Sequence, residues 1–374
     1  MKKKIKQITF LATISLLAGG CSMPIVEGEN VVINEDVKSE SALADGSLTV
    51  KKEKDIKVWR EISNEPYHQP VTGETITYNE NGALYLMDLL KGTKEKVAER
   101  EAFTVSENGK WALSFENEEG ELYVHNLENG KMNILENASP DDTQFVDNEV
   151  FYRYFTTQTI VRVDPEKDIK ETWDMSLFEN YSLAYLTKYD DQLYIAGENK
   201  KGEHGIYQLL EDGVVKIVLN LPGTHNDIND FSMLADGSVL FQGTMNEKDG
   251  IFYWNKQQEQ VTKLLSGGED QEGKWINFYN LSPDQTKILY DMPVQVGDVY
   301  KSDIYIAELV DGKLTNDTRI MENAELYGVI SLSGGWSLDS KTVYIKTMES
   351  IEWNDSVEIP EECVGSIEVF KVEA

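Results

Sequence analysis

The side chains able to do chemistry are few and scattered. Four histidines, His68, His125, His204 and His225, form no pair at helical or zinc-ligand spacing, so no metal site is expected. His204 reads as a solvent-exposed turn residue and His125 as a satisfied structural one. Adjacent acids such as Asp141-Asp142, Asp190-Asp191 and Glu361-Glu362 arise by chance in a chain with 66 acidic residues, and they do not argue for paired-carboxylate catalysis. No Asp-x-Asp-x-Asp-Gly calcium loop occurs. Gly335-Trp336-Ser337-Leu338-Asp339 lacks the closing glycine of a nucleophile elbow, which disfavours a serine hydrolase. The densest run of oxygen-bearing side chains is His225-Asn226-Asp227-Ile228-Asn229-Asp230. A Ca²⁺ or polar-ligand loop is one reading of it, and a hydrogen-bonded turn is the one adopted. No cofactor is expected, and the chain is read as non-enzymatic.

The elements that must position these residues repeat. A short strand-like unit ends at Tyr85, Tyr123, Val161, Tyr207, Phe252, Tyr305 and Glu368, with separations of 38, 38, 46, 45, 53 and 63 residues. That period matches a four-stranded propeller blade with variable loops. Each unit is flanked by hairpin signals, such as Asn129-Gly130, Ala235-Asp236-Gly237 and Asp311-Gly312, whose residues accept positive φ. Two hairpins per period give four antiparallel strands, and the predicted fold is an all-β propeller of seven four-stranded blades, with six as the alternative. In the fifth blade the strands A to D are predicted at 230–234, 238–243, 250–255 and 260–264. The last unit has no outer strand after it, and an open edge invites aggregation. Ile56 to Ile62 is the predicted donor, so strands from both termini close the ring. Trp59, Trp111, Trp173, Trp254 and Trp336 are predicted to pack between blades.

At the N-terminus, Lys2, Lys3, Lys4 and Lys6 precede an apolar core from Ile8 to Leu17 and then Leu17-Ala18-Gly19-Gly20-Cys21. This resembles a bacterial lipobox, which implies a signal peptide at 1–20 and a diacylated Cys21 as lipid anchor. Ser22 to Asp55 contains no aromatic residue and reads as a flexible tether, leaving 56–374 as one propeller domain. The expected location is the extracytoplasmic face of the cell membrane. The formal net charge of −31 becomes −35 without the four lysines of the signal, which disfavours nucleic acid as a partner.

Leu281-Ser282-Pro283-Asp284-Gln285-Thr286-Lys287, followed by Ser302-Asp303-Ile304-Tyr305-Ile306, resembles the WD40-like repeat of TolB-type propellers, in which a Ser-Pro-Asp-Gly-like turn precedes the second strand. Ser337-Leu338-Asp339-Ser340-Lys341 is a second copy; Ser106-Glu107-Asn108-Gly109-Lys110 and Ala235-Asp236-Gly237-Ser238 are looser ones. The resemblance implies the architecture and a protein-interaction role.

In a propeller the D–A and B–C loops share one face. Long insertions are predicted there, at 291–301 and 348–364 (B–C) and at 222–229 and 266–275 (D–A), and function tends to sit on long loops of a rigid scaffold. The candidate binding face therefore comprises Asp227, Asp230, Trp275, Asp298, Tyr300, Glu325, Tyr327 and Trp353, with Tyr279 near the rim. Aromatic rings among acids suit a protein or glycan partner. The leading expectation is a monomeric binding module for an exported protein or cell-envelope component. The alternatives are a propeller enzyme of lyase, glycosidase or cyclase type with its site at the channel mouth, and a small-ligand or Ca²⁺ sensor.

Overall fold

The computed structural model of the chain describes residues 32–34, 48–58, 75–106, 108–115, 121–138, 142–154, 157–167, 169–211, 213, 215–223, 225–267, 277–297, 299–324, 334–348 and 365–373, and these contain no α-helix. Two strands precede the repeats, β1 (Val32–Asn34) and β2 (Thr49–Val58). Blade one contributes β3 (Thr75–Glu80), β4 (Ala83–Asp88) and β5 (Thr93–Ala98). Blade two is β6 (Thr104–Val105), β7 (Trp111–Phe115), β8 (Leu122–Asn126) and β9 (Met132–Ile134); blade three is β10 (Thr143–Val146), β11 (Glu149–Tyr154), β12 (Thr159–Asp164) and β13 (Ile169–Asp174). Blade four is β14 (Phe178–Tyr189), β15 (Gln192–Asn199), β16 (His204–Leu209) and β17 (Val215–Leu221). Blade five is β18 (Asp227–Met233), β19 (Val239–Met245), β20 (Lys248–Asn255) and β21 (Gln260–Ser266). Blade six is β22 (Tyr279–Leu281), β23 (Lys287–Val296), β24 (Val299–Val310) and β25 (Lys313–Ala324). Blade seven holds β26 (Gly334–Trp336), β27 (Thr342–Met348) and β28 (Gly365–Glu373).

Within each sheet neighbouring blade strands are antiparallel and follow chain order. Two N-terminal strands depart from chain order: β1 adds parallel to β21, and β2 closes the ring by pairing antiparallel with β28 as the outer strand of blade seven. The predicted closure by an N-terminal strand holds, and Ile56–Val58 of the predicted Ile56–Ile62 donor take part in it, but the strand starts earlier, at Thr49; 59–62 lie outside the described residues. The pairing runs from Thr49↔Glu373 to Val58↔Gly365, so residues 49–55 belong to the last blade and not to a tether. Their charges, Lys51, Lys52, Glu53, Lys54 and Asp55, suit an outer edge strand, where charge deters further pairing.

Hydrophobic burial fills the junctions between blades. Seven apolar clusters occupy the seven junctions, and the one formed by Ile76, Tyr78, Met87 and Leu89 with Tyr344, Ile367 and Val369 joins blade seven back to blade one. Being covered on both faces, the middle strands lose polar alternation: Val239, Leu240 and Phe241 of β19 are all fully buried. Trp111, Trp173, Trp254 and Trp336 each lie buried in one of these clusters, as predicted; Trp59 lies outside the described residues.

The serine-led turns do two jobs. In Ser282–Lys287 the Ser282 hydroxyl donates to Asp284 Oδ1 (2.7 Å) and accepts from the Lys287 amide (2.9 Å); Ser337–Thr342 repeats this at 2.6 and 2.9 Å. The fourth turn position, glycine in the family pattern, is Gln285 or Ser340 here, each held at φ 58°. Positive φ is unfavourable for these residues, by about 1 kcal/mol. Each offsets it with a bond to the preceding blade: Ser340 Oγ accepts from the Asp284 amide (3.0 Å) and Gln285 Oε1 from the Ala235 amide (2.8 Å). Neighbouring blades are thus latched along the turn face.

On the opposite face, 291–301 is not a loop insertion. β23 and β24 stay paired out to Val296↔Val299 and form one long hairpin turning at Gly297, where φ is +65°. Of the predicted insertions at 266–275 and 348–364, residues 268–275 and 349–364 lie outside the described residues.

Candidate functional site at the rim of blades four and five

The B–C turn of blade four, the D–A connection into blade five and the B–C turn of blade five meet at one end of the ring. Asn226, buried, ties the last two together: its Nδ2 donates to the Pro222 carbonyl (2.6 Å) and its Oδ1 accepts from the Asn246 amide (2.8 Å). The run His225–Asp230 therefore does not converge on one ion. His225 points outward with Glu247 at 3.9 Å, Asn226 staples the loop, Asp227 turns to blade four and Asp230 lies further along the innermost strand. No cluster of three or more metal-ligating side chains occurs among the described residues.

His204 is the residue that sequence reasoning placed wrongly. It is not an exposed turn residue; it starts β16, half-buried, and its Nδ1 lies 2.8 Å from Asp227 Oδ1 of the next blade. The carboxylate orients the ring and leaves Nε2 without a hydrogen-bond partner among the described residues. The imidazole is raised above its ordinary value by the hydrogen bond to Asp227, against burial, with the Asp227 and Glu198 charges adding to it. Asp227 is held below the usual carboxylate range, first by the same hydrogen bond, against burial, then by the His204 charge and the Ile228 amide.

Two glycine pairs let the strands close at this rim. Gly197 faces Gly205 in blade four, and Gly243 faces Gly250 in blade five. A Cβ on Gly243 would sit 2.0 Å from the Asp227 carbonyl, because β18 bulges between Ile228 and Asp230. The bulge turns both Ile228 and Phe231 onto the blade four–five cluster.

Asp230 occupies the innermost strand of blade five. Protein surrounds it closely, yet its surface remains open to solvent, as expected for a channel wall, and the partner it has is the Phe231 amide (2.8 Å). Burial pushes its carboxyl up to about 6 against that one hydrogen bond. Tyr185 of β14 and Tyr279 of β22 both feel the Asp230 charge, and burial raises both phenols. Tyr279 itself is core rather than rim: it is buried between blades five and six, with its hydroxyl near Ser232 Oγ and the Leu240 carbonyl, both at 3.1 Å.

Of the eight residues expected on this face, the structure brings Asp227 and Asp230 together on β18. Tyr300 has its backbone on β24 opposite Gln295, in the arm of the long hairpin; Trp275, Asp298, Glu325, Tyr327 and Trp353, like Cys21, lie outside the described residues. Asn226 plays the hydrogen-bonded turn role expected of its run, whereas His204 and Tyr185 were missed as site residues. The signal available for His204 was the recurring start of the third strand, His204-Gly205-Ile206-Tyr207 and Asp249-Gly250-Ile251-Phe252, which places a polar residue at the rim just ahead of a glycine.

The rim has a defined pH response. His204 is raised on folding, so its contribution is complete below the unfolded value near 6.5 and disappears as pH rises through the higher folded value. Asp227 is lowered, so its contribution is complete above the unfolded carboxylate value near 4 and disappears as pH falls through the folded one. The pair stabilises most between about pH 4 and 6.5, by roughly 1 kcal/mol once solvent screening is included. Asp230 is raised, so charging it as pH climbs through about 6 costs stability. Urea melts of Asp230→Asn should therefore show a gain over wild type at pH 8 and none at pH 4, whereas His204→Ala should lose most near pH 5.5.

No protein-family profile matches the chain, and no curated protein sequence matches it. Solved structures match it in shape. A chain of the crystal structure of the mitotic checkpoint complex aligns with TM-score 0.55 at 11% identity, over 96% of this chain and 99% of that one. The N-terminal domain of Nup159 aligns with TM-score 0.51 at 9% identity, over 93% and 100%. TolB from Acinetobacter baumannii aligns with TM-score 0.38 at 12% identity, over 69% and 67%, a likeness too loose to build on. At such identities the shared feature is the architecture, and the chain is a seven-bladed β-propeller.

Proposed function

We propose that this protein is a non-catalytic, monomeric lipoprotein, anchored through Cys21 on the extracytoplasmic face of the membrane, whose propeller binds a basic exported protein or cell-envelope component at the rim of blades four and five. The observation that carries the reading is Asp230: a carboxyl on the innermost strand, open to solvent and supported by one amide, with closely packed protein around it that disfavours its charge. Residues that cost stability in this way cluster at functional sites. Asp227 and the formal charge of −31 give the rim the polarity that attracts a lysine or arginine of a partner. The lipobox-like Leu17-Ala18-Gly19-Gly20-Cys21 supports the anchor.

The test is affinity capture from solubilised envelope by the intact chain and by Asp227→Asn/Asp230→Asn. A partner retained by wild type, lost by the variant and weakened by raised salt fits the proposal. Capture of nothing, or capture indifferent to the two substitutions, contradicts it.

A second reading, a channel-mouth enzyme, is favoured by one observation, the Asp227-oriented His204 with Nε2 open. That arrangement can serve as a general base. In that reading His204→Asn abolishes turnover of an envelope glycan; in ours there is no turnover to abolish.

A further inference from the structure

The outer edges of the blades are not equally protected. The exposed outer strands β2, β5, β13 and β25 carry several charged residues each: Lys51, Lys52, Glu53, Lys54, Asp55 and Lys57 in β2 alone. In contrast, β17 and β21 each have a single lysine in seven residues, Lys216 and Lys263. Long edges with so little charge are open templates for another strand. One of the two is already used as such. β1 adds to blade five as a fifth strand, parallel to β21, with Val32↔Gln260, Ile33↔Val261 and Asn34↔Thr262.

We propose that the outer edge of blade five is a strand-docking site and that its occupant is the chain's own Val32–Asn34, which straps the N-terminal segment to the side of the propeller. The segment suits the site: Val31-Val32-Ile33 is a β-branched run between Glu29-Asn30 and Glu35-Asp36. It is also a detachable strap. A ladder of three parallel pairs is weak. The consequence for standoff rests on the proposed anchor at Cys21. With the strap on, residues 22–31 are what separates the lipid from the propeller, a reach of at most about 35 Å; with it off, residues 22–48 reach roughly 95 Å.

Backbone hydrogen exchange on the full-length protein in detergent tests the docking independently of lipidation. Ile33→Pro removes an amide donor and disfavours the strand, while Asn30→Pro, outside the ladder, is the control. In Ile33→Pro, those amides of Gln260–Thr262 that face β1 should exchange at least tenfold faster than in wild type and the control, with β18, β19 and β20 unchanged. Equal rates at 260–262 in all three proteins would overturn the strap. The anchor is read separately, by the mass of the N-terminal peptide: an unmodified Cys21 with β21 still protected would remove the anchor and keep the strap.

Discussion

Gly243→Ala should destabilise the protein by about 3 kcal/mol or more, well beyond the ~1 kcal/mol typical of a glycine exchange. The added Cβ would lie 2.0 Å from the Asp227 carbonyl oxygen, 2.9 Å from its carbonyl carbon and 3.2 Å from Ile228 Cα. All three are backbone atoms, so no side chain can swing away. Relief requires β18 to lose its bulge, which would pull Ile228 and Phe231 out of the blade four–five cluster and part Asp227 from His204. Gly82→Ala separates this effect from backbone preference: Gly82 has φ +77° and nothing within 4 Å of the added atom, so it should cost only about 1 kcal/mol. Urea melts of the two variants measure the difference. The His204 imidazole resonances should also titrate nearer their ordinary value in Gly243→Ala. Equal costs in the two variants would mean that the bulge is not as described.

Removing residues 49–58 should abolish cooperative folding. β28 would then present an unpaired edge, and Val50 and Ile56 would leave the clusters on the two sides of blade seven. Each partly buried side chain contributes on the order of 1 kcal/mol, and the lost ladder adds to this. The sum is several kcal/mol against a typical total of about 5–15. Low soluble yield and a broad, shallow thermal transition are the expected results. An unchanged melting temperature would show that β2 is not a blade strand.

The architecture was legible because it is periodic. Tyr123, Tyr207, Phe252 and Tyr305 recur on third strands, and turn pairs such as Asn81-Gly82 and Asp311-Gly312 adopt positive φ at both residues, as a tight hairpin requires. Placement failed where local composition misled. Lys51 to Asp55 looks like a solvated tether because an outer strand is meant to be charged. Pro293 and Gly297 look like loop residues, yet they sit in or at the end of a paired hairpin. The site was harder still. Lys200-Lys201-Gly202-Glu203 marks a turn, so His204 seemed destined for solvent; its partner is fixed by how blade four packs on blade five, which a local reading of the sequence does not contain. Asp230 was singled out as one acid in a dense run, and only the ring separates it from His225, Asn226 and Asp227.

Zero-length carbodiimide cross-linking of the native protein tests whether the ring is closed by its own N-terminal strand. Lys52 Nζ lies 2.7 Å from Glu368 of β28, far away in sequence, while Lys94 Nζ lies 2.7 Å from Glu80 within blade one and serves as an internal standard. Peptide mass spectrometry should find both isopeptides. The Lys94–Glu80 link with no Lys52–Glu368 link would contradict the closed ring.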